Sequence, residues 1–181
     1  GGKNIKANPL VAQFNNYLSK IEDALIRELN LYSWSEFYSP LRYACEGGKR
    51  IRPLLLVLSV EAIQATNRNS SHVTDDDAFM AGSAIELLHT ESVIHDDIID
   101  EERLRRGKPS FHIKYGYNSS ILTADFVLGI ILNIGSKMNN SRVTSELSSA
   151  ATKMSEGEMM EIRLAKHNDV TEDEYIKVIE N

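Results

Sequence analysis

Leu10, Val11, Phe14, Leu18, Ile21, Leu25 and Leu29 recur at intervals of three and four residues. That is the period of an α-helix with one face turned to a core. It constrains the chain more than any other feature, because it returns in segment after segment. Further helices are expected over 38–44, 53–65, 75–100, 119–137, 142–166 and 172–180. Gly47-Gly48 breaks the second helix, and Pro53 is tolerated in the first turn of the third. Residues 67–73 (NRNSSHV) read as a polar loop, and so do residues 105–110 (RRGKPS). Thr74 with Asp77, and Thr171 with Glu174, have the spacing of capping boxes. Asp75, Asp76 and Asp77 suit the positive end of a helix. About seven helices and no strand follow, in a single helical domain over 1–181. Only four prolines and ten glycines punctuate the chain, which favours helices over a turn-rich all-β fold.

A hydrophobic fraction of 42% is that of a globular chain with a real core. The net charge of −6 argues against nucleic acid as a partner, since phosphate backbones attract basic surfaces. Basic clusters in an acidic chain instead imply local anion sites. The single cysteine, Cys45, can make no intramolecular disulfide, so a cytoplasmic location is expected. No secretory signal is visible. The most apolar stretch, 121–134, is interrupted by Asp125 and Asn133 and reads as too short and too polar for a transmembrane segment. Gly1-Gly2 reads as an expression remnant.

The sharpest local feature is His95-Asp96-Asp97-Ile98-Ile99-Asp100. On a helix, Asp96 and Asp100 share a face, with Asp97 beside them. Like charges about 4 Å apart repel by roughly 4 kcal/mol at an effective dielectric near 20. Such a cluster is cheap to keep only when it is solvated or binds a cation. Hard carboxylate oxygens suit Mg²⁺, which takes one or two of them and completes its shell with water and phosphate. Apolar Val93, Ile94, Ile98 and Ile99 flank the cluster, so this helix end is at least partly packed. Arg105 and Arg106 follow; basic residues at a helix end are commonly dipole partners, but paired arginines beside such a cluster suggest guanidinium forks for a Mg²⁺-bridged diphosphate. A second basic set, GGKRIRP over 47–53, offers Lys49 and Arg52 at a helix start. Its glycines let backbone N–H groups approach a phosphate. Two basic sites fit an enzyme holding two diphosphates.

Residues 47–53 (GGKRIRP), 86–100 (ELLHTESVIHDDIID) and 104–109 (LRRGKP), in this order and spacing, resemble the trans-type polyprenyl diphosphate synthase family from about Phe37 onward. The resemblance implies an all-α, isoprenoid-synthase-type helical bundle around a central cavity, here truncated. It implies that Asp96, Asp97 and Asp100 bind Mg²⁺ and the allylic diphosphate, helped by Arg105. It implies that Lys49, Arg52, His89 and Arg106 bind isopentenyl diphosphate. His89 lies seven residues before Asp96, on the same helix face. His95 receives no role. Glu91 and Ser92, five and four residues before Asp96, match positions that set the floor of the product tunnel. Neither is aromatic, so a product of twenty carbons or more, of the geranylgeranyl type, is expected. A carboxylate at Glu91 facing a hydrocarbon tail would be costly, which favours its turning away to a partner.

Some positions depart from the pattern. Glu102 stands where longer forms of the first motif carry aspartate, so this is the short DDxxD form. Glu158, after Gly157, stands where many members have glutamine, and its role is open. The family's lysine-threonine pair and second aspartate-rich motif are not among the 181 residues. The chain therefore reads as the amino-terminal portion of a longer synthase, nearly inactive alone. The expected enzyme is a Mg²⁺-dependent prenyltransferase acting as a homodimer. Two other readings are a non-catalytic partner subunit of a prenyl diphosphate synthase and a plain helical interaction module.

Overall fold

The computed structural model describes residues 9–66, 74–138, 140–166 and 170–181. The expected loop at 67–73 and the Gly1-Gly2 remnant lie outside the described residues. The elements run α1 (Pro9–Asn30), α2 (Tyr38–Cys45), α3 (Ile51–Thr66), α4 (Asp75–Ile99), β1 (Leu104–Arg105), β2 (Lys108–Pro109), α5 (Phe111–Tyr115), α6 (Tyr117–Lys137), α7 (Ser141–Ala165) and α8 (Glu172–Glu180). The all-α expectation holds, with eight helices among the described residues where about seven were read. The addition is α5, a single short turn whose five residues are too few to show a period.

Both capping boxes form. Asp77 donates its backbone N–H to Thr74 Oγ1 at 3.1 Å, and Thr74 N–H returns to Asp77 Oδ2 at 3.1 Å. Glu174 and Thr171 do the same at 3.3 and 3.0 Å. Each box satisfies two backbone donors that the helix itself leaves unpaired.

The chain falls into two compact units, one up to Lys137 and one from Met138 onward. The first is built around α4, which packs against α1, α2, α3, α5 and α6. Its buried residues accordingly lie on several faces: Ala78, Phe79, Ala81, Ala84, Leu87, Leu88 and Ile94. Leu25 and Leu29 of α1, Leu41 of α2, Val57 of α3, and Val127, Ile130 and Ile134 of α6 complete the core. In the second unit α7 and α8 pack together. Gly157 of α7 faces Val178 and Asn181, where an added Cβ would stand 3.4 Å from the Asn181 side chain.

Helix α6 corrects the reading of residues 121–134. At 21 residues it is long and apolar enough, by length and composition, to cross a membrane. Nevertheless 44% of its most apolar window is buried. Ser120, Thr123, Ala124, Val127, Ile130, Ile131 and Ile134 form that buried side at helical spacing, and α4 is the helix α6 packs against most extensively.

The expected loop at 105–110 is also corrected. Strands β1 and β2 pair antiparallel, with Leu104 opposite Pro109 and Arg105 opposite Lys108. Arg106 and Gly107 close the hairpin with φ of 53° and 76°. Positive φ at both central residues is the type I′ signature, and Gly107 accepts it without strain. Two-residue strands are too short for an alternating pattern to reveal.

Candidate active site

The end of α4 creates the site. Glu102 N–H reaches back to the Asp97 carbonyl at 3.0 Å, and Glu101 N–H to the Ile98 carbonyl at 3.3 Å. Together with Glu101 at φ 54° this is a Schellman stop. A non-glycine residue in that conformation costs about 1–2 kcal/mol, and no glycine marks the stop in the sequence. The stop folds the hairpin back over the last turn of α4. There Arg105 grips Asp97: Nε donates to Oδ1 at 2.9 Å, and a second guanidinium N–H reaches the same oxygen.

The hairpin is tied on its other side to the end of α2. Tyr43 donates its hydroxyl to the Pro109 carbonyl at 2.6 Å. Lys108 pairs with the Glu46 carboxylate at 2.7 Å, and Arg106 donates to the Glu46 carbonyl at 3.2 Å. The Lys108 ammonium holds the Glu46 carboxyl below its usual range.

Between α2, α4 and the hairpin lies a cavity of about 270 Å³. From α4 it is lined by Glu86, His89, Thr90, Val93, Ile94 and Asp97. Eleven residues make about three helical turns, so Glu86 and Asp97 fall nearly in line. His89, Asp97, Arg105 and Arg106 line this cavity, although the resemblance divides them between two diphosphates. Lys49, Arg52, Asp96 and Asp100 are not among the residues lining this cavity. Lys49, Arg52 and Asp100 are exposed, and Asp96 and His95 are half-buried.

The basic groups reach His89 electrostatically. Burial lowers its pKa from the usual 6.5, and the charges of Arg52, Arg106 and Arg105 push the same way against Glu86. His89 should therefore titrate below 6.5 by NMR, and inorganic diphosphate placed among these arginines should raise the value. The unfolded chain takes up the proton first as pH falls, so His89 removes stability below about pH 6.5. A His89 pKa at or above 6.5 in the free protein would contradict this placement.

The fate of the expected metal ligands is mixed. Among the described residues no group of three or more His, Cys, Asp or Glu side chains is arranged to hold a metal. Asp97, read as a ligand with Asp96 and Asp100, is 2% exposed and already bonded to Arg105. Asp96 and Asp100 remain, two hard carboxylates one turn apart, joined by a 2.8 Å bond from the Asp100 N–H to the Asp96 carbonyl. A pair of that kind fits Mg²⁺, whose shell is filled mainly by water and phosphate.

Glu91 and Ser92 are not among the residues lining the cavity. Ser92 turns its hydroxyl back to the His89 carbonyl at 2.8 Å. Glu91 is half-buried. Its pKa is raised by burial and by Asp125 of α6, a second carboxylate.

Sequence reasoning missed Arg50 and Glu86. Arg50 is 6% exposed and bonds Glu22 Oε2 at 2.8 Å, Glu86 Oε1 at 3.0 Å and the Cys45 carbonyl. The only available signal was Glu86 standing three residues before His89, on its face of α4. Gly48 also has a steric part to play. An added Cβ would stand 2.2 Å from an Arg50 guanidinium nitrogen, so the glycine makes room for a protein cation.

The family model for polyprenyl synthetase matches residues 35–181. A geranylgeranyl diphosphate synthase of Methanosarcina mazei is 33% identical over 177 residues, covering 94% of this chain and 52% of that protein. An octaprenyl diphosphate synthase of Escherichia coli is 31% identical over 176 residues, covering 96% and 50%. The crystal structure of a geranylgeranyl pyrophosphate synthetase from Pyrococcus horikoshii superposes with a TM-score of 0.80 at 28% identity, covering 93% of this chain and 51% of that one. The chain thus spans about half the length of the curated relatives it matches.

Proposed function

This chain belongs to the polyprenyl synthetase family, and from that premise we propose that the protein containing it condenses isopentenyl diphosphate with an allylic diphosphate to give a longer trans-polyprenyl diphosphate. The observation that carries the proposal is the single cavity lined by His89 and Asp97 of one motif and by Arg105 and Arg106 of another. These side chains come from the end of α4 and from the hairpin that follows it, and they converge on a volume suited to a small anion.

In this reading Arg105 lies beside the allylic diphosphate, and Lys49, Arg52, His89 and Arg106 hold isopentenyl diphosphate with its double bond facing the allylic carbon. Asp96 and Asp100 would hold Mg²⁺, with Asp97 joining only by releasing Arg105; the bound ion supplies positive charge to the departing diphosphate. The allylic C–O bond breaks with its electron pair leaving on diphosphate, and the double bond forms the new C–C bond. The resulting cation then loses a proton to the released diphosphate. Apolar Val93 and Ile94 of the lining keep water from the cation.

The protein is proposed to work as a homodimer in the cytosol. The exposed apolar side of α6, with Ile121, Leu122, Leu128 and Leu132, supports the dimer. Burial pushes the Cys45 thiol up to about 11, which leaves it inert. The 181-residue chain alone is proposed to be nearly inactive, since the family's second aspartate-rich motif is not in it.

The product is proposed to have twenty carbons or more. Small Ser92 one turn below Asp96 supports this, and the relatives' names span geranylgeranyl and octaprenyl products. The test supplies the full-length protein with isopentenyl diphosphate and a short allylic primer, with chain lengths measured. Products of twenty carbons or more are expected, and Ser92→Phe should shorten them. A dominant fifteen-carbon product, or an unchanged distribution in the variant, would count against the Ser92 assignment. No condensation at all would count against the function.

A further inference from the structure

We propose that Arg50 is a positioning residue: buried between Glu22 and Glu86, it fixes the start of α3 so that Lys49 and Arg52 are presented to isopentenyl diphosphate. The inference rests on the function proposed above and names what holds one of its two anion sites. Lys49, Arg50 and Arg52 stand within four positions, yet only Arg50 is buried. Its guanidinium is committed to protein acceptors on three elements. Nε and Nη2 donate to the Glu22 carboxylate of α1 at 2.8 and 3.2 Å, and Nη1 donates to Glu86 of α4 at 3.0 Å. Nη2 also reaches the Cys45 carbonyl at the end of α2. Two carboxylates neutralise it, so an incoming diphosphate would have to displace them. Arg50 is therefore poorly placed to be an anion ligand itself.

Its backbone supplies the lever. Arg50 lies at φ 55°, in the left-handed region that non-glycine residues rarely adopt. Its carbonyl accepts the Leu54 N–H at 3.1 Å, the first bond of α3. The direction in which α3 leaves the loop, and with it Arg52 in the first turn, is set at this residue. Gly48 is the seat for the guanidinium, since any Cβ there would meet Nη1 at 2.2 Å and Glu86 at 3.0 Å. Gly48 has no positive φ, so alanine would act there only through that contact. Glu22 lies outside residues 35–181, so the amino-terminal helix contributes to the site from beyond the family match.

The test is steady-state kinetics of the full-length protein, varying each diphosphate separately, with Arg50→Lys, Gly48→Ala, Glu22→Gln and Arg52→Ala. A lysine keeps the charge but cannot fork to two carboxylates. Arg50→Lys should raise KM for isopentenyl diphosphate about tenfold. Its kcat and its KM for the allylic substrate should stay within about twofold. Gly48→Ala should give the same split, and Glu22→Gln a weaker version of it. Should Arg50→Lys fail to fold, these two variants decide. A purely structural role would instead lower the active fraction, with both KM values unchanged. That result, or a parallel change in both KM values, would overturn the proposal. If Arg52→Ala leaves KM for isopentenyl diphosphate unchanged, the functional reading itself fails. If Arg52→Ala raises it and none of the other three variants does, only the positioning role fails.

Discussion

Asp96→Ala in the full-length protein should lower kcat about 10²- to 10³-fold, the loss typical of removing a group that stabilises charge developing in a transition state. Asp96 is the half-buried member of the pair at the end of α4, and Asp100 alone gives a cation only one carboxylate. Because the charge to be neutralised appears as diphosphate leaves, the loss should fall on kcat more than on KM. Asp97 is expected to behave differently. Its carboxylate is bonded to Arg105, so Asp97→Asn should keep the fold of the hairpin yet weaken its hold on that arginine. The measurement is single-turnover product formation with Mg²⁺ titrated. An Asp96→Ala protein with wild-type kcat would remove Asp96 from the site and leave the assignment of this helix end without support.

Leu87→Ala should cost the 181-residue chain about 3 kcal/mol, within the range seen when a buried leucine is cut to alanine. Leu87 is fully buried on α4, the helix on which the first compact unit is assembled. Removing its side chain leaves a void bordered by a helix already packed on several faces, with little room to collapse. Leu55→Ala on α3 is the control: Leu55 is 59% exposed and its loss should change stability by less than about 0.5 kcal/mol. Urea unfolding monitored by helical circular dichroism would show a lower midpoint with an unchanged slope for Leu87→Ala. Equal effects from the two variants would mean that α4 is not the core helix.

Much of this protein is legible in one dimension. The helices follow from apolar spacing, and their ends from the capping residues at Thr74 and Thr171, because both signals act within a few residues along the chain. The candidate chemistry follows from Asp96, Asp97, Asp100, Arg105 and Arg106 being crowded into eleven positions, where like charges demand a partner. Spacing also placed His89 on the site's face of α4. These features need no knowledge of how the helices pack.

The tertiary structure decided which of those groups meet. Asp97 is drawn into the cavity and given to Arg105 because the chain reverses at Glu101, and no glycine announces a left-handed residue there. Arg50 became the anchor of its loop because carboxylates from α1 and α4, 28 and 36 residues away in sequence, arrive on either side of it. Glu91 feels the charge of Asp125 because α6 packs against α4. Periodicity shows that a residue faces a neighbour, but not which residue the neighbour presents. The partners of a buried charge are therefore set by packing between distant segments, and only the folded chain reveals them.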